Sequence, residues 1–423
     1  MRLEVSDAIV RTGPGTPLGK VMRRYWVPAL LQREIAAPDC PPVRVKLLGE
    51  RLIAFRDSAG RAGLIDERCA HRTTSLFFGR NEEGGIRCSY HGWKYDIHGH
   101  CIELPSEPQI ASRVRIPAYP CIERGGVVWA YMGPPELKPE PPELEWCMLP
   151  ESHRFVSRRW QECNYLQAME GGIDTTHVSW VHRYEIDSDP LHMHAACKKY
   201  IKADPNVRFT VEESDSGLTI FGQRNGEVDS WYWRITQWIF PWFTLVPPTG
   251  PHPLAGHIWV PMDDENCWTW NINFYPTRPL GADERAAMEQ GAGIHAPMIA
   301  GSMRPQANKD NDYLIDRQAQ KDKRAFSGVF GFGIQDSSLQ ESMGPIQDRE
   351  REYLVGTDRA IVVARRRLYN AAMSIEEKPD LPALDPRTHR VRSASVLLPR
   401  TDSVEDWAKQ ALVADANNEL HCL

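Results

Sequence analysis

The 423-residue sequence lacks any long apolar run. Its most hydrophobic window, WIFPWFTLV at 238–246, contains Pro241 and falls far short of the ~20 residues a membrane-spanning helix needs. The amino-terminal MRLEVSDAIVR carries charges where a secretory leader needs an apolar core, so none is expected. No basic run stands out either. With a formal net charge of −6, neither nucleic acid nor an anionic membrane is expected as the main partner. The ten cysteines are too sparse for the disulfide framework of a small secreted domain and suit a reduced cytoplasm. A dinucleotide fingerprint is absent: GPGTPLG (13–19) has the wrong spacing, and GVFGFG (328–333) lies outside a βαβ pattern. There is no internal repeat or low-complexity segment. A soluble, cytoplasmic protein is expected.

Hydrophobic content of 42% and charged content of 25% describe an ordinary globular chain, long enough for about two to three domains. TPLGKVMRRYWVPALL (16–31) opens with a short helix. From 43 the pattern turns to strands (VRVKLL, RLIAF, GLID and, at 125–133, GGVVWAYMG), separated by Gly, Asp and Ser turns. PPELKPEPPELE (134–145) breaks regular structure and marks a domain boundary. Beyond it lie a helical pattern at 164–182, strands such as RFTVEE, LTIFG and WRITQWIF, and helices at 281–290, 311–324 and 358–373. The layout is a small all-β domain followed by a larger α+β domain.

Two short segments carry one thiol and one imidazole each: Cys69-x-His71 and Cys88-x-x-His91, 16 residues apart. Two thiolates and two imidazoles are the ligand set of a Rieske [2Fe-2S] centre. A structural zinc site is the alternative, although zinc spacings usually pair like with like. CAHRTTSL and RCSYHGWKYD resemble the Rieske non-haem iron oxygenases, specifically their catalytic (α) subunits. The likeness covers nearly the whole chain and is closest to the phthalate dioxygenase group, which RTGPGTPLGKVMRRYWVPALL and GPIQDREREYL also resemble. It implies a helical segment at 1–40 packed on the catalytic domain, a Rieske domain at 41–140 and a catalytic domain at 141–423 with an antiparallel sheet and covering helices. Trp93 would pack beside the cluster.

A cluster that moves electrons needs an acceptor. In NYLQAMEGGIDTTHVSWVH, Asp174, His177 and His182 are spaced D-x-x-H-x-x-x-x-H. Non-haem Fe(II) oxygenases hold iron with two His and one carboxylate. On a regular helix the two histidines would lie about 140° apart, so the helix must end, widen or bulge between them. The resemblance implies that Asp336, in GIQDSSLQES with Glu341 five residues on, is the third ligand, with Asp348 as competitor. It also implies that Asp174 bridges His177 and the cluster ligand His91 of a neighbouring subunit in a trimer or stacked trimers. Electrons would come from a separate NAD(P)H-dependent flavin reductase. The expected reaction is cis-dihydroxylation of an aromatic carboxylate by O₂, with O-demethylation of a methoxylated benzoate as the alternative. A zinc-bound or electron-transfer protein is a distant third. Arg208 and Arg234 fall where the phthalate group places cations for substrate carboxylates. Trp231, Trp233, Trp238 and Trp242 are candidates for an aromatic pocket, and Trp180 for a change in its shape.

Overall fold

Short β-rich runs with turn residues between them make small antiparallel sheets, and the first third of the chain folds this way. Val43–Leu47, Glu50–Arg56, Ala62–Asp66 and Ala118–Tyr119 form one sheet. Leu48 and Gly49, both at positive φ, make the turn between the first two strands, where glycine meets no steric cost. A second sheet joins Arg80–Glu82, Gly85–Arg87, Lys94–Tyr95 and Cys101–Glu103. Ile53, Phe55, Ile65, Leu76, Ile86 and Tyr95 pack around Cys69 and Cys88.

The structure, a computed structural model, describes residues 1, 3–377 and 379–423. It divides into Thr12–Pro141 and a larger unit of Met1–Arg11 with Pro142–Leu423, the division at Pro141 falling inside PPELKPEPPELE. This corrects the expected helical segment at 1–40. After a helix at Pro17–Met22, the six buried residues Trp26–Leu31 form a strand paired with Val127–Tyr131, which ties them to the smaller unit. Only Met1–Arg11, with the helix Leu3–Val10, belongs to the larger one.

The larger unit is built on an eight-stranded antiparallel sheet in the order Arg154–Gln161, Cys267–Phe274, Leu254–Pro261, Phe243–Val246, Ser230–Ile239, Gly217–Asn225 and Arg208–Glu213, with Ala394–Pro399 also pairing Ser230–Ile239. Its strands bury polar residues among apolar ones: Arg159, Arg234, Thr236, His257, Asn271 and Asn273. Helices form at Ala282–Glu289 and Arg359–Ser374, as the sequence suggests. The helix expected at 311–324 shrinks to Arg317–Lys321. Asp312, Tyr313 and Leu314 take positive φ, which breaks the run, and Asp316 caps the helix that remains by accepting from Ala319 N–H.

Candidate active site

The two Cys/His loops close in the same way. In each, the Cys N–H and C=O bridge the loop: Cys69 to Thr74 and Thr73, Cys88 to Trp93 and Gly92. Both thiols are buried and within hydrogen-bonding reach of each other. Burial pushes the Cys69 thiol pKa up; the Tyr95 hydroxyl, 3.3 Å from its sulfur, works the other way. At the exposed end the Nδ1 atoms of His71 and His91 converge to 3.1 Å, the spacing of two nitrogens that share one metal. Trp93 stacks on His71 at 4.7 Å between centroids. Two buried sulfurs and two exposed imidazole nitrogens fit the asymmetric donor set of a Rieske cluster.

The second group begins where a helix stops. Asn164 caps the helix Tyr165–Ile173 by accepting from Leu166 N–H, and the chain turns extended at Asp174. His177 then opens a short 3₁₀ turn and His182 follows in a loop, so the two rings meet at 5.2 Å between centroids. Asp336 reaches them from the helix Phe332–Ser342. Its Oδ1 lies 3.2 Å from His182 Nε2 and 3.7 Å from His177 Nε2, and one ligand atom from each of the three can hold a common metal ion. Asp348 is exposed and accepts from Glu350 N–H, while Glu341 turns to Tyr313 and Glu162.

The tautomers follow from the partners. Gln335 donates its amide N–H to Val329 O, so its Oε1 accepts from His182 Nδ1 at 2.8 Å and leaves Nε2 free for metal. His177 turns Nδ1 to Asp174 Oδ2 at 3.5 Å, with the same effect. Burial opposes charge on all three groups. Even so, His182 and His177 hold the Asp336 carboxyl down at about 2, His177 holds Asp174 below the usual range, and the two carboxylates raise His177.

A cavity opens on this triad, and Asp174, Arg159 and Arg234 line it too. Arg234 is 2% exposed. Its Nε donates to Thr175 Oγ1 and its Nη2 to Pro247 O, while Nη1 has no hydrogen-bond partner among the described residues. Arg224, missed in the sequence, is buried behind Thr175 and likewise leaves Nη1 unpartnered. Burial, and then the charge of Arg234, lowers its pKa to about 10. The expectation for Arg208 is corrected: it starts the edge strand on an exposed position, over the Trp231 ring, and does not line the cavity. Nor do Trp231, Trp233, Trp238 or Trp242; Trp259 does. Trp180 is 45% exposed beside Phe326, outside the cavity.

Three further cavity histidines were not singled out in the sequence: His192, His252 and His257. They come from separate segments with no metal-type spacing. His257 Nδ1 bonds Asn271 Oδ1, an oxygen that also accepts from Arg159, so Nδ1 carries the proton. Burial, then Arg159, brings its pKa to about 4, leaving Nε2 an acceptor at neutral pH.

Residues 25–120 match the Rieske [2Fe-2S] domain, and residues 130–421 match the "LigXa C-terminal domain like" family. The chain is 37% identical to the 3-chlorobenzoate-3,4-dioxygenase oxygenase subunit of Comamonas testosteroni, over 89% of this chain and 90% of that one. It is 36% identical to the phthalate 4,5-dioxygenase oxygenase subunit of Pseudomonas putida, over 87% and 85%. The crystal structure of dicamba monooxygenase bound to dicamba shares the fold, with a TM-score of 0.57 at 16% identity over 84% of this chain and 99% of that one. No helix among the described residues is long and apolar enough to cross a membrane.

Proposed function

The chain belongs to the Rieske non-haem iron oxygenases, as an O₂-using oxygenase subunit with a Rieske [2Fe-2S] cluster and a mononuclear iron, and from this we propose that it is the cytoplasmic terminal oxygenase that cis-dihydroxylates an aromatic carboxylate of the phthalate, isophthalate or substituted-benzoate class. Electrons come from a separate NAD(P)H-dependent reductase. In this reading Cys69, His71, Cys88 and His91 hold the cluster, and His177, His182 and Asp336 hold the iron. When bound, the two centres supply single electrons and O₂ activation.

Each turnover joins O₂, two electrons and two protons to the ring as a cis-diol. The chain's own residues set the geometry. Gln335 and Asp174 fix the tautomers of His182 and His177. Asp174 also links His177 to His91 of a neighbouring copy in a homotrimer or stacked hexamer. Arg234 binds the substrate carboxylate, and Arg224 adds positive potential from behind Thr175. The observation that carries the substrate class is the unpartnered, buried Nη1 of Arg234 in the triad's cavity: a buried cation without a carboxylate is costly, and a bound anion removes that cost.

The test is product analysis with purified protein, a flavin reductase, NADH and a panel of mono- and dicarboxylates, halobenzoates and methoxybenzoates. A product that gains two oxygens and two hydrogens is expected. Formaldehyde release would overturn the reading in favour of O-demethylation. Asp336→Ala is expected to lose mononuclear iron and keep the visible spectrum of the cluster; normal iron content would remove Asp336 from the site.

A further inference from the structure

Asp189 and His192 form a pair that the proposed reaction does not use. Asp189 accepts backbone N–H groups from Leu191 and Gly293, each at 2.8 Å, and lies 3.1 Å from His192 Nδ1. Burial raises its carboxyl pKa, but His192 and those N–H donors outweigh this and hold it below the usual range. A carboxylate only accepts, so His192 carries a proton on Nδ1, and in the neutral ring Nε2, on the side away from Asp189, is the basic nitrogen. The ring lines the cavity, stacked on Phe332 at 4.4 Å, and Phe332 packs on His182 at 4.7 Å. The base therefore stands one aromatic ring beyond a proposed iron ligand.

A second acceptor stands beside it. His252 Nε2 donates to Met193 O at 2.7 Å, which leaves its Nδ1 unprotonated, and burial favours the neutral ring. Its centroid is 6.4 Å from that of His192. The cavity thus offers donors at Arg234 and bases at His192 and His252.

We propose that His192, oriented by Asp189, binds an ionisable hydroxyl on the substrate ring, so that the enzyme takes phenolic aromatic acids. The O–H bond of the phenol breaks, an N–H bond forms at Nε2, and phenolate and imidazolium remain paired. No electron moves and no co-reactant is needed. The inference rests on the cavity being the substrate site, and the carboxylate reading is probed separately.

The experiment titrates 4-nitrophenol into the iron-loaded protein at about pH 6, where the free phenol is mostly protonated, with 4-nitrobenzoate as a parallel probe. Bound 4-nitrophenol is expected to show the phenolate band. In His192→Gln the band disappears and affinity falls roughly tenfold or more, as loss of a charge-assisted hydrogen bond implies, while 4-nitrobenzoate binds as before. Asp189→Asn weakens the band in the same way and serves if His192→Gln does not fold. Absence of binding, binding as the neutral phenol, or a band unchanged in His192→Gln overturns the proposal. So does a band lost in Arg234→Gln but kept in His192→Gln. Failure of 4-nitrobenzoate alone strikes the carboxylate reading and leaves this one standing.

Discussion

Glu185 shows what one buried acid does to stability beside a metal site. Its Oε1 accepts from Gly331 N–H at 2.8 Å, and its Oε2 is buried without a hydrogen-bond partner among the described residues. Burial raises its pKa to about 7 from the ordinary 4.5. The folded state then holds a proton that the unfolded chain releases, so iron-free protein loses stability as pH climbs from about 4.5 to 7, by about 3 kcal/mol in total. Glu185→Gln keeps the acceptor for Gly331 but has no charge to bury. Denaturant unfolding of the iron-free protein at pH 5 and 8 should show a shallower pH slope in the variant by about that amount. The amide N–H inherits the unpartnered place, so the gain at pH 8 is smaller than the change in slope. Equal slopes would mean that Glu185 is not the group responsible. Iron loading brings a dication close to this carboxyl and should itself lower its pKa.

At the scale of elements, the site depends on how the helix Tyr165–Ile173 packs and where it ends. A Cβ built on Gly172 would come within 2.0 Å of the Trp259 ring, which is itself 4% exposed. Alanine is the better helix former by about 1 kcal/mol, yet overpacking at such a contact costs roughly 1–3 kcal/mol. Gly172→Ala should therefore be destabilised on balance, and Trp259→Leu should rescue it. A double-mutant cycle by thermal unfolding checks this, since strict additivity would mean the two do not meet. The same helix shows what the sequence made legible. The spacing of His177 and His182 required an irregularity between them on a helix running from 164 to 182; the helix instead ends earlier, at Asp174, before either histidine. The strands from 43 to 66 were readable because β-branched and apolar residues alternate with turn residues. The helix Phe332–Ser342, which carries Asp336, was not: it buries Gln335, Ser337, Ser338 and Gln340 along with Phe332 and Ile334, so no apolar stripe marks it. Arg224, His192, His252 and His257 escaped for another reason. Arg224, His252 and His257 are lone polar residues whose partners come from other strands or loops, while His192 pairs locally with Asp189 and only tertiary packing brings that pair to the cavity. Arg208 was misplaced because a motif-level likeness does not say which face of an edge strand a side chain takes.

At the scale of the whole molecule, the proposed ligands divide cleanly. The cluster residues lie within Thr12–Pro141 and the iron residues within the larger unit. If electrons pass between chains through Asp174, two chains damaged in different units can complement each other in one oligomer. A Cys88→Ser chain keeps its iron and loses its cluster; an Asp336→Ala chain keeps its cluster and loses its iron. Each alone should be inactive with reductase, NADH and a productive aromatic acid. Co-expressed in equal amounts and randomly assembled into closed rings, a site works only if its own iron and its neighbour's cluster are both intact, which gives on the order of a quarter of wild-type activity. Electron transfer within one chain gives none, because no chain in the mixture carries both centres. Repeating the mixture with Asp174→Asn on the Cys88→Ser chain should abolish the recovered activity while the iron content of that chain stays unchanged. Activity that survives this substitution would show that electrons reach the iron by a route other than Asp174.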